Sequence, residues 1–249
     1  MDKKIQIYDE PWKHMIIDNF LDNKTFTVLQ NKYDNYHNIL KLKEHGQFKL
    51  KEKQSRSKTK AGHNRRRGYR DLYFDINWEN IKVQDKCKSI FGNDERVSNC
   101  LKSVHKVWNK YYHQLNQGDD MSRFATKILF QMNQLKPYNK LGRNIHLDSV
   151  SKIMTILLYV SENGVGTSLH NIDGSLHHRA EWKSNRLLVF VKQQQGDIRT
   201  YHSIQNDIPF YRDTIDMTIL ANMKKLESAM ESGEVSNHKD AGHGHFPIP

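Results

Sequence analysis

Three side chains of this chain can hold a divalent metal between them: His146 and Asp148, one residue apart, and His202 far downstream. Two imidazoles and one carboxylate on one face leave three coordination positions open, a donor set that suits a ferrous ion with reactants bound at the free positions. The spacing has a mechanical reason. Residues i and i+2 of an extended segment project to the same side, so His146 and Asp148 reach one metal from a short stretch. The third donor then has to come from another strand passing the same point. By itself the His-x-acid triplet says little, because 14 histidines and 28 acidic residues in 249 positions produce about 1.6 such triplets by chance. A second one, His238-Lys239-Asp240, sits in a Gly- and His-rich tail with no following strand to supply a partner, and it is set aside.

Arg212, ten residues beyond His202, carries the other chemical signal. A planar guanidinium matches a carboxylate with two parallel hydrogen bonds. Thr214 faces the same side of the strand and has a hydroxyl for the same carboxylate, while Ile215, Met217 and Ile219 point the other way. A rim salt bridge is the bland reading of any single Arg, and the distance from His202 argues against it here.

These residues need elements to carry them. After Asp148 come the apolar run Ile153–Val160, a turn of Asn163-Gly164-Val165-Gly166-Thr167, Arg186–Val191, Tyr201-His202-Ser203 and Ile215–Leu220. The run containing Ile156, Leu157, Leu158 and Tyr159 is apolar on both faces and is predicted to be a central strand. Upstream, Ile128, Phe130 and Met132 alternate with Lys127, Gln131 and Asn133, as in a half-buried strand. His14–Leu21 is a further strand. Asn23 is placed to cap a helix to about Tyr33, with Phe26, Leu29 and Tyr33 along one face. Ile81–Phe91 reads as a helix stopped by Gly92. Val97, Leu101, Val104, Trp108, Tyr111 and Leu115 recur at helical spacing up to Gly118, as core against a sheet. His105 and His113 on that helix are surface or packing residues. After Ala221 a short helical pattern (Met223, Leu226, Met230) leads into a Ser-, Gly- and His-rich tail where His238, His243 and His245 invite adventitious metal.

The stretches IHLDSVSKIMTILLYVS, GVGTSLH, NRLLVFV, TYHSI and PFYRDTIDMTIL, over roughly Thr126 to Leu220, resemble the Fe(II)/2-oxoglutarate-dependent dioxygenases, in particular their prolyl 4-hydroxylase-like group. The opening MIIDNFLDNKTFTVLQ is similar to that group's strand-then-helix start. The resemblance implies a mainly β fold with flanking helices around a double-stranded β-helix (jelly-roll, cupin-like) core. It implies His146, Asp148 and His202 as metal ligands and Arg212 as the anchor of the distal carboxylate of 2-oxoglutarate. It places Thr214, Asn133 and Tyr138, with Gln131 and Asn144 behind them, toward the cosubstrate. Arg179, Trp182 and the His177-His178 pair fall in a connection that would border the substrate entrance. The cofactors implied are Fe(II), 2-oxoglutarate and O2, with ascorbate as an accessory reductant. The activity implied is hydroxylation of a C–H bond with release of succinate and CO2. Collagen-type prolyl hydroxylases usually carry Lys where this chain has Arg212, so the likeness is to the wider group. The nucleic-acid demethylases of the superfamily use a second Arg after the anchor, and no Arg follows Arg212 here. The substrate expected is a peptidyl residue, proline being the group's default. A small molecule such as a free amino acid is the alternative within the enzyme class, and a nucleic-acid-binding protein with an inactive barrel is the alternative outside it.

Composition sets the frame. The expected organisation is one structural unit: residues 1–125 as a strand and helical support, 126–220 as the catalytic core and 221–249 as a loose tail. No run approaches the ~20 apolar residues that span a bilayer, and the charged start Met1-Asp2-Lys3-Lys4 leads into no signal-peptide core. Cys87 and Cys100 give neither a disulfide framework nor a zinc cluster. A cytoplasmic protein without membrane contact is expected. The net charge of +11 is concentrated between Lys41 and Arg70, where 12 Lys and Arg face only Glu44 and Glu52. This segment is expected to be a poorly packed basic loop, either serving the substrate, with nucleic acid or acidic protein as the surfaces it suits, or solvated and contributing solubility. Neutralising Arg65, Arg66 and Arg67 should leave 2-oxoglutarate turnover without substrate intact. Capture of a macromolecular substrate should weaken, most visibly at low salt. Loss of basal turnover in an assay of succinate release would instead make the segment part of the reaction chamber.

Overall fold

Strands whose side chains alternate between two interiors build the molecule, and helices seal one of those interiors. The computed structural model describes residues 3–34, 66–76, 95–135, 145–193, 198–204 and 212–236. The helix expected over Ile81–Phe91, Tyr138, Asn144, residues 41–65 of the basic segment and the histidines of the tail lie outside them. The strands are β1 (Lys4–Tyr8), β2 (His14–Asp18), β3 (Arg66–Asp75), β4 (Ala125–Leu135), β5 (Lys152–Tyr159), β6 (Thr167–His170), β7 (Leu176–Ala180), β8 (Leu187–Val191), β9 (His202–Ile204) and β10 (Arg212–Ala221). The helices are α1 (Asn23–Asp34), α2 (Glu95–Leu115) and α3 (Met223–Glu231).

Seven strands form one antiparallel sheet in the order β1-β2-β8-β5-β10-β4-β3, and three form a second in the order β7-β6-β9. The period-two pattern sorts the large sheet cleanly. Leu187, Val189 and Val191 of β8, Met154, Ile156 and Leu158 of β5, and Ile215, Met217 and Ile219 of β10 share one buried cluster with the inner faces of the three helices. Leu188 and Phe190 of β8 face the other way, into a cluster with Leu169 of β6 and Ala180 of β7. Each fully buried aliphatic side chain of this kind contributes about 1.5–3 kcal/mol. The result is helices on a large sheet and a small sheet on its opposite face, the jelly-roll core expected from sequence. β5 lies at the centre of the large sheet, as its two apolar faces require.

Three local readings are corrected. The cap of α1 is Asp22, whose carboxylate accepts from the Thr25 amide (2.9 Å) and hydroxyl (2.7 Å), so the helix starts at Asn23 without needing its side chain as a cap. The basic segment does not stay irregular to Arg70: Arg66–Asp75 is the edge strand β3, its Gly68 level with Asn133 of β4. Among the described residues β3 has a partner on one side only, a position that charged sequences suit. The tail is not loose from its start. Leu226, Ala229 and Met230 of α3 are buried, Asn222 accepts from the Lys225 amide at its N-terminus, and Val235 is buried beyond its end. From Leu101 to Leu115 α2 matches its predicted stripe, with the buried Cys100 and Tyr112 added to it. Among the described residues no helix is long and apolar enough to cross a membrane.

Burial creates one testable pH dependence. His14 of β2 stacks on Tyr8 (centroids 4.9 Å apart), and its Nδ1 donates to the Trp12 carbonyl (2.9 Å). Nε2 is buried with no hydrogen-bond partner among the described residues. Burial, with the nearby His178 and His177, lowers its pKa from 6.5 to about 4 despite the Trp12 bond. The unfolded chain therefore takes up the proton first as pH falls. The stability tied to neutral His14 is complete above pH 6.5 and drains away down to about pH 4, up to about 3 kcal/mol. Denaturant titrations across that window should show the slope in the native protein and a shallower one in His14→Phe; equal slopes would assign the effect to other groups.

Candidate metal and anion site

Asp148 lies in a short connection before β5, and His146 forms an isolated antiparallel bridge with His202 of β9. Their backbones exchange both hydrogen bonds, each at 3.1 Å. That bridge lengthens the small sheet by one residue pair and sets the two imidazoles side by side, centroids 4.4 Å apart. Among the described residues this one pairing is what His146 has of a ladder, where the sequence pattern expects a short extended segment. One donor atom each from His146, Asp148 and His202 falls within 4.8 Å of the others. His202 Nδ1 donates to the Thr200 carbonyl (2.9 Å), which leaves the lone pair on Nε2. Nε2 is 3.9 Å from Asp148 Oδ1. A second bond that fixes the tautomer is the usual support of a metal-binding imidazole. On the next residue, Ser203 donates to Nε2 of His170, whose Nδ1 donates to the Gly174 carbonyl, so β9 is pinned to β6 by a side chain as well as by the ladder.

Asp148 is only 6% exposed and both its oxygens are engaged. Oδ2 accepts the Thr155 hydroxyl (2.6 Å), and Oδ1 accepts the Lys152 ammonium (2.7 Å). Burial opposes its ionisation, but the charge of Lys152, the nearby His202 and the two hydrogen bonds override it and hold the carboxyl far below the usual carboxylate range. Lys192, just past β8, is also close to this charge. Burial lowers its pKa to about 8, Asp148 opposing the fall and Lys152 adding to it.

A cavity of about 130 Å³ opens between the sheets beside the three donors. Its wall includes His146, Asp148 and His202 at one part and Asn133, Thr167, Arg212 and Thr214 at another, with Leu157, Phe190 and Ile204 as apolar lining. Arg212, 5% exposed, is aimed by its surroundings. Nε donates to the Val165 carbonyl (2.8 Å) and Nη2 to Thr167 Oγ1 (3.1 Å). Its guanidinium lies 5.7 Å from the Tyr159 ring and 5.5 Å from the Trp182 ring, which stack on each other at 4.4 Å. Cation–π contact of this kind adds about 1–2 kcal/mol in a desolvated place. The Tyr159 hydroxyl donates to Thr167 Oγ1 (2.9 Å) and accepts the Thr167 amide (3.1 Å), which locks the turn that supplies both acceptors.

Sequence reasoning names Arg212, Thr214 and Asn133, and all three reach the cavity. Gln131 sits one step down β4 and accepts from Asn133 Nδ2 (3.2 Å). Asn133 Oδ1 is buried with no partner among the described residues, an acceptor held ready for a donor on a bound molecule. Trp182 packs against Arg212, and its Nε1 donates to the Ser161 carbonyl (3.0 Å). Arg179 reaches toward Ser168 on the neighbouring strand, and His177 and His178 lie on β7, away from the cavity wall. The residues that sequence reasoning misses are Lys152, Thr155, Thr167, Phe190, Ile204 and Asp216. Of these only Thr155 leaves a trace, as a polar residue on the cavity side of an otherwise apolar strand. Two imidazoles and one carboxylate with open space beside them suit a ferrous ion, and the aimed Arg212 with the Thr214 hydroxyl suits a carboxylate-bearing ligand.

No protein-family model matches the chain, and no curated protein does. Solved structures do. A prolyl-4-hydroxylase of Pseudomonas putida aligns over 84% of this chain and 92% of its own, with TM-score 0.52 and 13% identity. The dioxygenase for auxin oxidation from rice aligns over 89% and 85%, with TM-score 0.56 and 12% identity. Its counterpart from Arabidopsis thaliana, in a binary complex with 2-oxoglutarate, aligns over 87% and 86%, with TM-score 0.55 and 13% identity. At these identities the likeness is one of fold, and the fold is that of the 2-oxoglutarate dioxygenases.

The turn before β6 is sterically committed. A Cβ on Gly166 would sit 2.1 Å from the Ala180 carbonyl oxygen, and one on Gly164 would sit 2.4 Å from the Trp182 ring. Gly166→Ala should therefore push β6 off β7 at the point where Val165 and Thr167 hold Arg212, costing about 1–3 kcal/mol or more. Thermal unfolding checks it, and a variant as stable as the native chain would show that the turn yields freely.

Proposed function

We propose that this chain is an Fe(II)- and 2-oxoglutarate-dependent dioxygenase that hydroxylates a C–H bond. The observation that carries the proposal is a single cavity whose wall joins three metal-type donors to a buried Arg aimed by Val165, Thr167, Tyr159 and Trp182. His146, Asp148 and His202 would hold the iron and Arg212 the distal carboxylate of 2-oxoglutarate. Bound there, iron with O2 and 2-oxoglutarate supplies the oxidising power and releases succinate and CO2.

The chain's own residues orient and shield. Thr200 keeps His202 in the tautomer that offers Nε2, and Thr155 fixes the far oxygen of Asp148 so that the near one faces the imidazoles. Thr214 adds a hydroxyl donor along the ligand, and Asn133 Oδ1, which has no partner among the described residues, is left to accept from a donor on the substrate. Leu157, Phe190 and Ile204 line the rest of the chamber with apolar surface. Excluding water there strengthens every charge interaction in it.

For the substrate we favour a peptidyl residue such as proline. Support comes from the sequence resemblance to the prolyl 4-hydroxylase-like group and from the fold shared with a bacterial prolyl-4-hydroxylase. The auxin dioxygenases act, by their names, on a small molecule, and their equal likeness keeps a small substrate as the second reading.

The test is turnover of 2-oxoglutarate to succinate with Fe(II) added. His202→Ala, His146→Ala and Asp148→Ala should each abolish it. Arg212→Ala should keep metal binding but raise the 2-oxoglutarate requirement on the order of 100-fold, the equivalent of about 3 kcal/mol for a lost charge-assisted pair. Full turnover by His202→Ala would overturn the metal assignment. Unchanged cosubstrate affinity in Arg212→Ala, measured by calorimetry, would move the anchor elsewhere. Mass gain of one oxygen in peptides or in metabolites then separates the two substrate readings.

A further inference from the structure

Asp148 has two oxygens with different tasks. Oδ2 is taken by the Thr155 hydroxyl at 2.6 Å. Oδ1 is the oxygen turned toward His202 Nε2, 3.9 Å away, and is thus the one a metal shared by the three donors would take. That same oxygen already carries a cation: the ammonium of Lys152 at 2.7 Å. A second carboxylate stands within reach. Asp216 of β10, on the cavity wall, has its Oδ2 3.9 Å from the same ammonium, and its Oδ1 accepts the Thr218 hydroxyl.

We propose that Lys152 is a built-in stand-in for the metal, a positioning residue whose ammonium neutralises Asp148 until the ion arrives and then passes to Asp216. The inference rests on the reading of His146, Asp148 and His202 as a metal site. The physical reasons are three. A carboxylate this deeply buried needs a compensating charge whether or not a metal is present. A divalent ion and an ammonium on one oxygen repel each other strongly, so they do not share it. Lys152 has a four-carbon stem with rotatable bonds and is partly exposed at 22%, so a shift of its head by about 1 Å closes the gap to Asp216. Its backbone stays in place meanwhile, because the Lys152 amide is bonded to the Ser149 carbonyl. The exchange leaves the site with a preorganised Asp148 before loading. Metal affinity is then set by a competition between two cations, one belonging to the protein and one to the solvent.

The experiment titrates the full chain with Mn(II) alone, free ion being read by electron paramagnetic resonance, and follows unfolding of each variant with and without the ion. Lys152→Met should bind Mn(II) on the order of ten-fold more tightly than the native chain. Its metal-free form should unfold earlier and gain more from Mn(II). Asp216→Asn should bind several-fold more weakly, having lost the landing place, and the double variant should regain binding at least as tight as native, because no ammonium remains to be rehoused. Lys152→Arg keeps the charge and should stay near native. If Lys152→Met does not fold, Lys152→Gln carries the same expectation. Native-like or weaker binding by the neutral Lys152 variants would overturn the proposal. So would a double variant as weak as Asp216→Asn, since Asp216 would then act on the metal directly. No Mn(II) binding by the native chain would instead remove the metal site itself, a different failure.

Discussion

A carboxylate buried between two sheets is tolerated only if the chain surrounds it with donors and positive charge, and much of this site follows from how Asp148 meets that demand. Thr155 reaches it from the central strand, Lys152 from the first residue of the same strand, and His202 faces it from the small sheet. Each of these contacts ties a different piece of backbone to one side chain. Among the described residues the connection carrying residues 145–148 has one ladder bridge, to His202. Its placement therefore depends on Asp148 as much as Asp148 depends on it. The same crowding of charge accompanies the burial that makes the Lys192 proton easier to lose than usual.

The large sheet is what makes such a site tolerable in stability. Its central strands give one face wholly to aliphatic packing under α1, α2 and α3, and the other face to the cavity and the small sheet. On β10 the division is residue by residue: Ile215, Met217 and Ile219 go to the helices, while Arg212, Thr214 and Asp216 go to the cavity. A one-residue slip of that strand would exchange the two sets and bury an Arg and an Asp among aliphatic side chains. Register is therefore enforced by the site's own polar residues, and the site is held by the register. The long antiparallel ladders of β10 with β4 and with β5 carry that constraint across the sheet.

Legibility in the sequence divides along physical lines. Period-two runs are readable because they encode a face locally, so β5, β8 and β10 and the inward stripe of α2 can be assigned without structure. The candidate metal donors are readable because His146 and Asp148 lie two apart and His202 sits in a strand-like triplet. Lys152 is not, since four residues from Asp148 in a non-helical segment implies no proximity; the turn that closes Ser149 onto Lys152 creates it. Asp216 and Thr155 lie 68 and 7 positions from Asp148 and come near it only through sheet pairing and a connection whose path no local pattern encodes. Strand β3, at the end of the large sheet among the described residues, is hidden by its charge, which reads as solvated loop but is what a sheet edge accepts.

The aiming of Arg212 shows why so little identity suffices to keep this architecture. Its guanidinium is oriented by a main-chain carbonyl, a hydroxyl and two aromatic faces. The carbonyl of Val165 is available to any sequence that makes the turn. What sequence has to supply is room for the turn, through Gly166 under the Ala180 carbonyl and Gly164 under Trp182, and a hydroxyl at Thr167. A handful of residue types at the right register thus fixes the anion end of the cavity, and one backbone bridge plus a carbonyl at Thr200 fixes the metal end. The remaining strands need only alternate apolar and polar side chains, which many unrelated sequences do. Conservation of shape at 12–13% identity to solved dioxygenases is what such sparse constraints permit.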